Sequence, residues 1–506
     1  MTKCLSLLLV ITVSPVIALW DDATKDHEIF NTSSGVFVDK TLLIEAFFRH
    51  SQMCKYQVIT SPLGFGKTTN LKMLKRFVEL EVDEFGRVKN KTRTSSYKLF
   101  SDRRLKISKH AKIIENYLAE YPAIYFSFDD IIKSEDFVVN EMNLLKKFKK
   151  LYLRYKWLFE HFLTNSTSNE TTREDGIEMK LSERKNFIRD LIDENDPTSS
   201  QVPSMDTLSI LAEILYSYFG RKVFIFIDNY DSVWVDGLRD NVDKLWYVDV
   251  GRHLHEIIRV LFGPEMKKYI EYIFITGTNT IFLHAMSNNI SYNRFLDDNH
   301  PFTRYYGFSE NEVLELLEQH DIDTKNISDL KILHNGYSTR TSEMQLFQSS
   351  SIVDYVTKST SNKSSSYKNK KYLWLDSGSL IGQWKALFDG TVYERVKRLM
   401  DVKSTTFELY RFCDEKGTGE LQNLSNVLKV QQPLLNVTVD WFFSLLFENG
   451  YFTYSDKAGG FKIPNRSREN AFIEVLAKVD KILESVMKAE RYFNYTTESS
   501  MQVFDF

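Results

Sequence analysis

The stretch Ser61-Pro-Leu-Gly-Phe-Gly-Lys-Thr-Thr69 gathers the residue types that hold a chain of phosphates. Glycines let backbone N–H groups turn toward an anion, Lys67 can bring positive charge to the β/γ oxygens, and the Thr68 hydroxyl is a hard ligand for Mg2+. Gly64, Phe65, Gly66, Lys67, Thr68 and Thr69 are therefore the candidate nucleotide contacts. Much later, Phe224-Ile-Phe-Ile-Asp228-Asn-Tyr-Asp231 is an apolar run ending in a carboxylate, an arrangement that places an acid beside a phosphate-bound metal. Together the two motifs make ATP with Mg2+ the expected ligand, with Thr68 and Asp228 on the metal. Each also has a plainer reading. Glycine, lysine and threonine can form an ordinary strand-to-helix turn, an aspartate after a strand can start a turn, and Ser61 stands where the usual loop pattern has its first glycine.

Such residues need rigid elements to aim them. Lys55 to Thr60 reads as a strand entering the loop, and Thr68 to Leu80 as a helix leaving it. Ala123 to Phe128, Lys222 to Ile227 and Tyr272 to Thr276 read as further strands. The Lys222 to Ile227 run is almost wholly apolar, as a strand covered on both faces of a parallel sheet would be. The expected fold class is α/β: a P-loop nucleotide-binding domain with a mainly parallel sheet flanked by helices. Helical periodicity from Leu380 to Lys488, interrupted by short strands near 448–454 and 459–463, predicts a helical, winged-helix-like C-terminal region.

The expected division is a signal peptide at 1–18, the nucleotide-binding domain at 19–320 with a polar insertion at 165–200, a connecting region at 321–379 with a mobile loop at 357–371, and the C-terminal region at 380–506. Lys3, the apolar run Leu5 to Val13 and Val16-Ile17-Ala18 fit a cleaved secretory signal. Sequons at Asn31, Asn90, Asn165, Asn169, Asn289, Asn326, Asn362, Asn423, Asn436, Asn465 and Asn494 far outnumber the roughly four expected by chance, which fits passage through the secretory pathway. Of the three cysteines, Cys4 leaves with the signal, and Cys54 and Cys413 either pair or remain two buried thiols. The 65 basic and 68 acidic residues leave a formal net charge of -3, well mixed along the chain, so no field of one sign is present to attract nucleic acid. After residue 18 no run of about 18 apolar residues suggests a membrane span.

The motifs resemble those of the AAA-ATPase-like family. Phe37-Val-Asp-Lys-Thr41 is similar to its Y-V-D-K-T opening, and Thr60-Ser-Pro-Leu-Gly-Phe-Gly-Lys-Thr68 to its T-R-P-R-R-F-G-K-S, which also lacks the first glycine. Leu71-Lys-Met-Leu74, Tyr121 to Ser127, Asp228 to Asp231, Thr276-Gly277, Gly307-Phe-Ser-Glu-Asn-Glu-Val313, Asn335-Gly-Tyr337, Asn449 to Thr453 and Lys462 to Asn465 continue the likeness in family order. The resemblance implies a P-loop ATPase fold over about 36–470.

Two departures bear on activity. The family's D-E-Y-D is here Asp228-Asn-Tyr-Asp231, and Asn229 cannot accept a proton from the attacking water as the glutamate does. Asp231 is the candidate substitute, and the Asn229 amide a candidate for positioning the water. Many bacterial members also continue into a nuclease-like domain, and no nuclease activity is expected of this chain. Two readings follow: a secreted ATP-binding protein with weak hydrolysis, or a secreted effector or interaction protein that keeps the fold without turnover. Thr276 or Asn279 is the candidate γ-phosphate sensor, although polar residues at a strand end also serve as turn residues. Arg294 and Arg304 stand where an arginine finger could sit, but a solvated surface position is the expected role of each. No protein partner is named by the sequence.

Overall fold

The computed structural model describes residues 36–51, 54–132, 134, 137–159, 186, 188–189, 191, 206–233, 254–280, 290–297, 301–341, 344–360, 390–407, 409, 439–455, 460–474, 476–477 and 480. The expected signal, Cys413 and nearly all of the expected insertion lie outside these residues. At the insertion's described positions, Ile188 and Leu191 are buried.

The chain builds a five-stranded sheet from β1 (Tyr56–Thr60), β2 (Ala123–Ser127), β3 (Val223–Asp228), β4 (Ile270–Gly277) and β5 (Ile290–Arg294). Its order is β2-β3-β4-β1-β5, and all neighbouring pairs are parallel. Because side chains alternate along a strand, β3 sends Phe224 and Phe226 to one apolar cluster and Val223, Ile225 and Ile227 to another. A strand buried on both faces needs this unbroken apolar composition. The first face is covered by α1 (Leu42–Ser51) and α2 (Lys67–Val78), which buries Leu71, Leu74, Phe77 and Val78. On the second lie α3 (Phe137–Leu153), through Leu144, Phe148 and Tyr152, and α4 (Thr207–Phe219), through Leu208, Leu211 and Leu215.

Strand β5 has no counterpart in the strand pattern read from sequence. Its sequence Ile-Ser-Tyr-Asn-Arg is polar because it lies at a sheet edge, with only β1 beside it. Beyond it, α5 (Glu310–Gln319) opens with a capping box in which Ser309 and Glu312 satisfy each other's backbone N–H groups. Glu312 also accepts from Lys40 Nζ at 2.7 Å, so the Phe37 to Thr41 segment is tied to the Gly307 to Val313 segment. There follow α6 (Ile327–His334), a two-residue pair β6 (Tyr337–Ser338) and β7 (Gln345–Leu346), and α7 (Ser349–Thr360). Residues 357–360, expected to begin a mobile loop, complete the last turn of α7; Val356 is buried, and Thr357 and Thr360 hydroxyls bond back to carbonyls one turn earlier. The remainder of that loop, 361–371, lies outside the described residues.

The C-terminal part contributes α8 (Gly390–Val402), α9 (Val439–Glu448) and the hairpin β8 (Thr453–Tyr454) and β9 (Phe461–Lys462). A helix followed by a short hairpin matches the pattern read near 448–463. Phe407 stacks on Phe461 at 3.9 Å, and both join the apolar cluster that contains Phe77 and Phe226. Three separated segments meet here. Tyr337 Oη donates to Gly450 O at 3.2 Å, Asn465 Nδ2 donates to Asn335 O at 2.9 Å, and Arg468 Nε donates to the Tyr337 oxygen at 3.2 Å.

Gly336 sits at this junction with φ +95°, and a Cβ there would lie 2.0 Å from the Pro464 carbonyl oxygen. Left-handed backbone alone costs a non-glycine residue about 1–2 kcal/mol. Gly336→Ala is therefore expected to destabilise the protein by about 2 kcal/mol or more, read as a lower urea midpoint. An unchanged midpoint would mean that the junction contributes little to stability.

Candidate functional site

The phosphate-loop candidates sit where β1 ends and α2 begins. Gly64 has φ +82° and Gly66 has φ +88°, so both occupy the left-handed region that turns successive N–H groups inward. Gly66 is the N-cap of α2, and no side chain caps that end. Phe65 faces the other way: it is fully buried, with ring centroids 4.5 Å from Phe295 and 4.8 Å from Tyr337. It is an anchor of the loop, which explains an aromatic residue between two glycines. The outer carbonyls are clamped by later chain, since Gly64 O accepts from Ser350 N, Phe65 O from Gly307 N and Leu63 O from Gln348 Nε2. A Cβ on Gly64 would meet Ser350 Oγ at 2.2 Å.

Lys67 is buried and donates to Ser61 O at 2.5 Å, Pro62 O at 3.0 Å and Thr278 Oγ1 at 3.4 Å. Burial brings its pKa down to about 8, while the charges of Asp231, Asp228 and Asp129 hold it up. Thr68 and Thr69 occupy the first turn of α2, Thr68 half-buried and Thr69 exposed.

Strand parity decides where the acidic motif points. Asp228 continues the Phe224 and Phe226 face, the face of α2 and the loop, and Thr276 continues the face of Tyr272 and Phe274. The two meet, with Thr276 Oγ1 donating to Asp228 Oδ1 at 2.5 Å and Tyr125 Oη donating to Asp228 Oδ2 at 3.0 Å. Both carboxylate oxygens are thereby aimed, and each keeps a lone pair for a further partner. Hydroxyl and carboxylate oxygens are hard donors that suit Mg2+, so Thr68 and Asp228 fit the implied metal. No group of three or more His, Cys, Asp or Glu side chains placed to hold a metal ion by themselves occurs among the described residues. A metal shared between a hydroxyl, one carboxylate and a ligand's phosphates requires none.

Asp231, the candidate substitute for the glutamate, lies beside the end of β4. It is buried, and its carboxylate accepts from Thr278 N at 3.0 Å and from Asn279 N and Nδ2 at 2.6 Å and 3.0 Å. Burial raises its pKa, and these donors pull it back. Its Oδ2 takes three donors and its Oδ1 shares the Thr278 N–H, so the carboxylate is tied to the end of β4. The sensor candidates Thr276 and Asn279 are engaged as well, on Asp228 and Asp231, while Thr278 is the residue that reaches Lys67. Arg294 is not a solvated surface residue: its side chain is 9% exposed and bonds to Asp297 at 3.1 Å. Arg304 is exposed.

Asn229 has φ +50°, a conformation that asparagine tolerates better than most side chains, and its Nδ2 donates to Asp129 Oδ2 at 2.9 Å. Asp129 was not among the residues singled out from sequence. The signal was present, since Ile124, Phe126 and Phe128 alternate with Tyr125, Ser127 and Asp129, and the second set continues toward the loop face. Burial pushes the Asp129 carboxyl above the usual carboxylate range, and the Asp228 charge adds to this, against hydrogen bonds from Ser127 and Asn229.

The family model described as predicted AAA-ATPase matches residues 23–287, just over half of the 506. The chain belongs to this AAA-ATPase-like family. No curated protein matches it. Among solved structures, the Walker-type ATPase PABY2304 of Pyrococcus abyssi is 10% identical, with 90% of this chain and 99% of that one covered and a TM-score of 0.37. The Aeropyrum pernix ORC2 protein, in ADPNP-ADP complexes, is 9% identical over 88% and 93%, with a TM-score of 0.34. Drosophila ORC bound to DNA is 9% identical over 94% of each chain, with a TM-score of 0.26. In this family member the P-loop ATPase-like fold rests on the sheet order and loop described above.

Beside the site, Glu448 is buried at the end of α9 and accepts from Thr280 N at 3.0 Å and Thr280 Oγ1 at 2.7 Å. Burial pushes it up to about 7, against the pull of Thr280 and Arg294. The native state thus keeps this proton to higher pH than the unfolded chain does. Stability from this group falls as pH rises from about 4.5 to 7 and is level above that. Glu448→Gln is expected to remove that slope, so its urea midpoint should gain on the unmodified protein between pH 5 and pH 7. Parallel midpoints across that range would show that Glu448 titrates normally.

Proposed function

We propose that this AAA-ATPase-like protein binds ATP with Mg2+ through Gly64 to Thr69 and hydrolyses it slowly. The observation that carries the reading is the Lys67 ammonium, buried at the start of a 12-residue helix and resting on the Ser61 and Pro62 carbonyls of its own loop. A polyphosphate would exchange these neutral acceptors for charged ones and would meet the uncapped N–H groups of α2. Thr68 and Asp228 would hold Mg2+, which neutralises phosphate charge and orients the γ-phosphoryl group. Thr276 and Tyr125 keep Asp228 aimed, and Thr278 stands beside Lys67. Slow turnover follows from Asn229, an amide where the family has a glutamate. The same substitution favours a second reading, an effector or interaction protein that binds nucleotide without consuming it.

Lys67→Ala is the direct test. Calorimetric titration with ATP and Mg2+ should show binding to the unmodified protein and none to the variant, whose circular dichroism should show the same fold although its thermal midpoint falls, because buried Asp231 loses part of its charge support. Equal affinity in both would reduce the loop to a structural turn.

The proposal extends to location. Residues 1–18 and the excess of sequons support a mature protein that begins near Leu19, is secreted through the endoplasmic reticulum and carries N-glycans. Asn90 is exposed and available to a glycan, whereas Asn465 Nδ2 is bonded to Asn335 O in the folded protein. Enzymatic removal of N-glycans should increase gel mobility, and mass spectrometry should find Asn90 occupied and Asn465 bare. Unchanged mobility would count against secretion.

A further inference from the structure

We infer that Asp129, at the end of β2, is the carboxylate that accepts the proton of the attacking water, in place of the glutamate missing at position 229. The inference rests on the nucleotide reading above and goes beyond it by naming the general base. Hydrolysis needs a carboxylate near the metal aspartate and the loop lysine that still has an oxygen to offer. Asp228 is bonded by Thr276 and Tyr125 and is assigned to the metal. Asp231 is buried, 2% exposed, and held against the end of β4 by the Thr278 and Asn279 N–H groups and the Asn279 amide, most of them on Oδ2. Asp130 is exposed at φ +58°.

Asp129 remains, and its surroundings suit the task. Its charge acts on Lys67 and it also feels Asp228, so it lies within electrostatic reach of both ends of the site. It is half-buried. Ser127 Oγ and Asn229 Nδ2 both donate to Oδ2 at 2.9 Å, which fixes the carboxylate, and among the described residues none bonds to Oδ1. The chain thus keeps one carboxylate and one amide at adjacent strand ends, with the carboxylate on β2 and the amide after β3. In the reaction, the water oxygen bonds to the γ-phosphorus as the bond to the β–γ bridging oxygen breaks, with its electron pair staying on ADP. The water's proton passes to Asp129 and from there to the released phosphate.

Asp129→Asn tests this, with nucleotide affinity measured by calorimetry, intact ATP recovered from the protein after gel filtration, and phosphate release measured in parallel. The expected result is affinity and thermal midpoint close to the unmodified protein, bound ATP recovered unhydrolysed, and phosphate release lowered by about 10²-fold or more. The exchanged pair Asp129→Asn with Asn229→Asp keeps a hydrogen bond between the two positions and returns a carboxylate to the site, so it should regain at least part of the release. If Asp129→Asn does not fold, Asp129→Ser decides: nucleotide bound with release lowered to the Lys67→Ala background supports the inference, and unchanged release overturns it. Unchanged release in a folded Asp129→Asn overturns it. Binding without any release by the unmodified protein overturns it while leaving the nucleotide reading intact, and loss of binding in the unmodified protein removes both.

Discussion

A carboxylate taken wholly out of water has to be met by donors, and Asp231 imposes that requirement on everything around it. Its oxygens draw in the backbone N–H groups of Thr278 and Asn279, which bends the chain at the end of β4. That bend presents the Thr278 hydroxyl to Lys67 and turns the Asn279 side chain toward Asn449, whose Nδ2 donates to Asn279 Oδ1 at 2.9 Å. Thr280, next along, meets Glu448. One buried charge therefore joins the phosphate loop to the end of α9. The Lys67 charge helps to keep Asp231 ionised, so the lysine that a phosphate would engage is also part of the anion's electrostatic support.

The loop is held from outside in a similar way. Its glycines give the backbone freedom, and the later chain removes it again through Gly307, Gln348 and Ser350, with Phe65 buried against Phe295 and Tyr337. This matters for anion binding, because N–H groups that are already aimed need little reorganisation when charge arrives. Tyr337 links this anchor to the C-terminal part through Gly450 and Arg468. Segments near 65, 337, 450 and 465 thus share one junction although together they span 400 positions of the chain. A nucleotide that shifted the loop would be felt at α9 and the β8-β9 hairpin through packed side chains rather than through a flexible link.

Local pattern was enough to read the elements that carry their own signature. β1, β3 and β4 are apolar runs bounded by turns, and α2 has a 3.6-residue apolar stripe, so each appears in the sequence close to its observed bounds. The loop motif and Asp228 were legible for the same reason, since chain order and strand parity place them on one side of a sheet. The hairpin after α9 was legible from its turn residues. β5 was not, because an edge strand with polar residues does not stand out from a loop until a partner strand supplies its hydrogen bonds.

What the sequence alone determined is the fold class, the loop, the lysine and the acidic strand end, since these depend on residues close together in the chain and on alternation along a strand. Tertiary structure decided which carboxylates stay open. Asp231 and Asp129 are both acids just past a strand, and nothing in their neighbours along the chain separates them. One is buried and held by amides from the end of β4, and the other is half-buried with Ser127 and Asn229 both donating to one oxygen. The physical reason is that a carboxylate's role depends on which donors reach it through space, and those donors arrive from positions about 50 and 100 residues away in the chain.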